Sequence, residues 1–79
     1  MKIQKHRDAA GVEWRLHAFG QLPVGRGEVA LVVVDGRGVR FLEQVGTGDI
    51  RTLSGKAAMG AVRWFPLIKG EVRVAVRQG

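Results

Sequence analysis

The chain has 79 residues, with 13 Lys+Arg against 7 Asp+Glu, no Cys and a formal net charge of +6. That length allows one domain, residues 1–79. The missing Cys excludes a disulfide framework, a Cys-ligated zinc site and thiol catalysis, and 46% hydrophobic with 25% charged residues is too apolar for a disordered tail.

The first residues, Met1-Lys2-Ile3-Gln4-Lys5-His6-Arg7, carry cations with no apolar run behind them, so a secretory signal is not expected. They read as a polar edge strand, where Lys discourages unwanted strand pairing. Asp8-Ala9-Ala10-Gly11 is a turn. Val12 to Phe19 then alternates, with Val12, Trp14, Leu16 and Ala18 on one face and Glu13, Arg15 and His17 on the other. Folding the first strand back across the turn predicts Arg7 opposite Val12, His6 opposite Glu13, Lys5 opposite Trp14 and Ile3 opposite Leu16. His17, on the polar face, reads as a surface residue.

Gly20 to Gly27 is a predicted loop. Glu28 to Val34 is a β-branched apolar run, read as a central strand buried on both faces. Asp35-Gly36-Arg37-Gly38 is a hairpin turn, and Val39 to Val45 is the return strand. Pairing Val34 with Val39 puts Val32 and Phe41 on one face. Leu31, Val33 and Leu42 fall on the other, with Arg40. Both faces being apolar, either the sheet curls into a small barrel or the second face meets a partner.

Gly46-Thr47-Gly48-Asp49 is expected to be a loop. A helix follows near residues 52–65, with Thr52 or Ser54 as the N-cap. Two endings are open. Ala58, Ala61, Val62 and Phe65 make a helical stripe up to Pro66; alternatively Gly60 ends a short helix and residues 61–68 form a strand turning at Lys69-Gly70. Glu71 to Arg77 is the last strand, with Val72, Val74 and Val76 facing in and Arg73 and Arg77 facing out. The expected fold is therefore a β-rich α+β domain. It has a five- or six-stranded antiparallel sheet, open or curled into a barrel, and one short helix. With the short helix, the element order from Val12 onward matches the OB-fold.

Catalytic equipment is thin: one Ser, no Tyr and two His give no nucleophile–base–orienter set. No cofactor or metal is expected, because a closed zinc site needs four suitable ligands. Gly55-Lys56 shares two residues with a Walker A loop, but Ile50 stands at its first Gly and Ala57 at its Ser/Thr. Ser54 and Lys56 remain as a candidate anion site at the helix start.

The basic residues carry the functional expectation. Nine of the 13 cations are Arg, whose fork suits bidentate phosphate or carboxylate contacts. Arg15, Arg26, Arg37, Arg40, Arg73 and Arg77 are the candidate contacts, with Arg26 and Arg37 each held between two glycines at loop tips. Most aromatics fall on apolar faces, which argues against a sequence-specific single-strand reader. Phe19 is the one good candidate for base stacking, with Trp64 a second if residues 61–68 form a strand. The first expectation is a non-enzymatic module binding nucleic acid through its phosphates. The alternative is a protein-interaction module. A phage or mobile-element inhibitor that binds an acidic or nucleic-acid-binding surface of a host complex is one form of it. Leu31, Val33 and Leu42 would be its interface, and a homodimer its simplest form. A cytoplasmic location and no membrane partner complete the expectation.

Overall fold

The computed structural model describes residues 4–64 and 69–78. It contains β1 (Gln4–Arg7), β2 (Glu13–His17), β3 (Arg26–Asp35), β4 (Gly38–Asp49), α1 (Ile50–Trp64) and β5 (Glu71–Arg77). The five strands form one antiparallel sheet in the order β1-β2-β5-β3-β4. β3 is central as expected, and Val29 to Val33 are fully buried. The hairpin register is also as expected, with Val34 opposite Val39 and Val32 opposite Phe41.

Both faces of the sheet are apolar because both are used. On one face α1 packs over β3 and β4 and reaches β5. Its Ile50, Leu53 and Ala57 bury Val29, Leu31, Val74 and Val76. The other face holds Trp14, Leu16, Ala30, Val32 and Ala75, with Phe41 packed against them. Among the described residues no helix covers this face; curvature does. β5 and β3 lie between β2 and β4, so a flat sheet would hold Trp14 and Phe41 about 14 Å apart. Their ring centroids are 5.3 Å apart, edge to face, and His6 of β1 lies 6.0 Å from Phe41. The sheet therefore curls its two edges toward each other. It does not close into a barrel, and one strand follows the helix among the described residues, so the OB-like order is not realised.

Three local expectations are corrected. The β1–β2 register is one residue off the predicted one. Arg7 faces Glu13, His6 faces Trp14, Lys5 faces Arg15 and Gln4 faces Leu16. Asp8 causes this by folding the turn around its own side chain, whose Oδ1 accepts the backbone N–H groups of Ala10 and Val12, both at 2.9 Å. The pairing of Ile3 lies outside the described residues. Next, residues 46–49 are strand rather than loop, because β4 pairs with β3 as far as Asp49. Arg26 is accordingly a strand residue and not a loop tip. Finally, α1 starts at Ile50, not near Thr52 or Ser54. Asp49 is the cap, its Oδ1 accepting the Thr52 N–H at 2.9 Å and the Thr52 hydroxyl at 3.1 Å. Helix continues through Gly60 to Trp64, which rules out a strand over residues 61–64; residues 65–68 lie outside the described part.

Candidate anion-binding face

Cross-strand partners share a face, so the registers sort every sheet charge by side. Lys5 pairs with Arg15, Arg15 with Val76, and Val76 with Val29. Val76 and Val29 lie under α1. Lys5, Arg7, Glu13 and Arg15 therefore project on the helix-bearing side. They are exposed there, outside the part of the sheet over which α1 packs, which is β3, β4 and β5. Arg40 also belongs to this side, since it pairs with Val33, which faces Val72.

The helix adds to the same side. It carries Arg51, Lys56 and Arg63 and no acidic residue. Its Leu53, Ala57 and Gly60 face the sheet, so its cations point outward. Two acids on this side are already committed. Glu13 lies between Lys5 at 3.9 Å and Arg7 at 3.5 Å, and Glu43 lies 3.7 Å from Arg63. Asp49, opposite Arg26 at the end of β4, is held at the helix N-terminus. The hydrogen bonds from Thr52 keep its carboxyl below the usual range, so it stays ionised as a cap. The ion pairs among the described residues do not involve Arg15, Arg40, Arg51 or Lys56.

The curled face is different. Arg77 pairs with Glu28 at 3.6 Å, and Arg73 pairs with Glu71. Each sequence-predicted arginine here meets a glutamate on its own or the adjacent strand. Arg26, at the start of β3, lines a cavity of about 300 Å³ with Glu28, Thr47 and Arg77. At the far end of β3 a cavity of about 200 Å³ has Asp35, Arg37 and Arg40 in its walls. Asp35 also accepts the Arg37 backbone N–H at 2.7 Å, which fixes the turn.

The six predicted arginines thus fall in separate places: Arg15 and Arg40 on the helix side, Arg37 at the hairpin tip, Arg26 at a strand end, and Arg73 and Arg77 on the curled face. Ser54 and Lys56 lie within the helix rather than at its start, Ser54 buried and Lys56 exposed. Leu31 and Val33 are fully buried, and Leu42 is half-buried against the same core. The expected exposed patch is therefore the seat of α1. His6 and Glu13 are not opposite, and His17 is buried rather than on the surface. Arg51, absent from the sequence candidates, joins Lys56 on an exposed, acid-free stretch of helix from Ile50 to Trp64.

Among the described residues no group of three or more His, Asp or Glu could hold a metal ion. No described helix is long and apolar enough to cross a membrane. No protein-family model, no curated protein and no solved structure matches the chain.

Proposed function

We propose that the protein is a non-enzymatic module that binds nucleic acid through its phosphates, with the helix-bearing side as the contact surface. One observation carries this reading: Arg15, Arg40, Arg51 and Lys56, which take part in none of the ion pairs, share that side. A cation already paired with a carboxylate must give up that partner to meet a phosphate. An unpaired one exchanges only water and counterions. The reading therefore moves weight from Arg73 and Arg77 to Arg51 and Lys56.

The test is a salt titration of binding to duplex and single-stranded DNA. Four phosphate contacts give a log–log slope of about −3 to −4. Replacing Arg51 or Lys56 by Gln is expected to lower that slope by about one, and replacing Arg73 to leave it unchanged. Absence of binding at low ionic strength rejects the reading.

A second reading has its own observation. Met59 and Val62 are 77% and 73% exposed on the outer face of α1, between Lys56 and Arg63. Apolar groups flanked by cations suit an acidic protein surface with an apolar centre. A stoichiometric protein complex at physiological salt that is lost in a Met59→Glu variant would favour it.

A further inference from the structure

A cleft of about 440 Å³ separates α1 from the segment that joins β2 to β3. Its walls include Phe19 and Leu22 on one side and Arg51, Ser54 and Gly55 on the other. Phe19 and Leu22 are half-buried, each resting against the core under the helix, which holds them in place. Gly20 and Gly55 contribute no side chain, and a Cβ at either would meet nothing within 4 Å. The volume lies within the roughly 300–1,000 Å³ range of small-ligand sites.

Three chemistries meet here. Phe19 offers an aromatic surface, Ser54 a hydroxyl in an otherwise buried side chain, and Arg51 an exposed guanidinium that none of the ion pairs involves. An aromatic ring beside a cation matches a nucleotide, whose base stacks while its phosphate is neutralised. A duplex cannot use the cleft, because its bases are stacked on one another. We infer that this cleft takes one unpaired nucleotide of a single strand, with its base against Phe19 and its phosphate at Arg51. The inference rests on the nucleic-acid reading above and adds a preference for unpaired strands.

The decisive variant is Gly55→Leu. The position has open space and ordinary helical geometry, so the new side chain fills the cleft without disturbing the fold. Phe19→Leu is the second variant, removing the ring while keeping an apolar contact with the core. Binding of a fluorescent oligothymidylate of roughly 12 nucleotides is compared with that of a blunt duplex of equal length. Both variants are expected to weaken the single strand about 5- to 50-fold and to leave the duplex unchanged, with melting temperature not lowered in Gly55→Leu. Wild-type affinity for the single strand in both variants overturns the cleft assignment and leaves the phosphate reading intact. So does binding of the duplex alone by the wild type. Binding of neither probe at low salt overturns both.

Discussion

The Trp14 indole N–H donates to Asp8 Oδ2 at 3.0 Å, tying the β1–β2 turn to the core of the curled face. The same carboxylate uses its other oxygen on the turn backbone, at Ala10 and Val12. The bond from Trp14 and then those from the backbone hold the Asp8 carboxyl below its ordinary range. The folded state thus binds this proton more weakly than the unfolded chain. Stability from Asp8 is present above the ordinary carboxyl pKa and is lost as pH falls through the lower folded value. Asp49 behaves alike through its bonds from Thr52. In Asp8→Asn the acid leg of a plot of melting temperature against pH is expected to flatten, and Trp14 fluorescence to shift at neutral pH. An unchanged acid leg would show that the carboxylate does not set it.

His17 has the opposite charge type but the same sign of effect. Burial disfavours its imidazolium and pushes it below 6.5, and Arg15 adds to this; a backbone hydrogen bond with Gln21 works the other way. The unfolded chain takes up a proton first as pH drops, so stability declines below about pH 6.5. Thermal melts from about pH 7.5 to pH 5 should show a falling melting temperature, and His17→Gln should remove most of that slope. The carboxyls of Asp8 and Asp49 titrate lower and do not contribute in this window.

How much of this was legible follows from where each determinant sits. Val29 to Val33 announce a doubly buried strand, because five consecutive apolar residues leave no face for solvent. The turn at Asp35–Gly38 sets the β3–β4 register at once. The β1–β2 register escapes parity reasoning, because Asp8 consumes backbone groups that a simple turn would leave to the strands. The start of α1 escapes for another reason: β4 runs into the helix at Asp49 with no intervening loop, so the glycine-rich Gly46-Thr47-Gly48-Asp49 imitates a loop and moves the expected helix start downstream. Alternation separates Arg15 from Trp14 and Arg73 from Val74, but the expectation that Arg73 faces out is corrected. Arg15 shares the helix-bearing side with Val76, whereas Arg73 shares the curled face with the buried Val32 and Ala75, and its side chain is only 21% exposed. Whether an arginine is paired cannot be read from alternation, because Arg77 meets Glu28 only once β5 is known to lie beside β3.

β3 approaches the end of β5 closely at Gly27. A Cβ there would stand 2.6 Å from the Arg77 carbonyl oxygen, a backbone atom that cannot rotate away. Gly27→Ala must push β3 and β5 apart at their ends, at a cost of about 1–3 kcal/mol. Gly55→Ala is the matched control, on the exposed side of α1 with open space around it. Better helix propensity should there raise stability by about 0.5–1 kcal/mol. Urea unfolding of the two variants checks both signs, and equal effects would contradict the close approach of the two strands.

Leu31 separates the core from the interface role expected of it in sequence. Its side chain is fully buried in the cluster formed with Ile50, Leu53, Val29 and Val74, where α1 meets the sheet. Leu31→Ala removes methyl groups from a site closed on both sides by secondary structure, and the expected loss is about 2–5 kcal/mol. The size distribution in light scattering should stay that of the wild type, since the residue reaches no surface. A variant of undiminished stability that instead changed the association state would place Leu31 between copies of the chain rather than beneath its own helix. Denaturant unfolding and scattering on the same sample distinguish the two outcomes, because burial under α1 costs stability at any protein concentration whereas burial between copies does so only where copies associate.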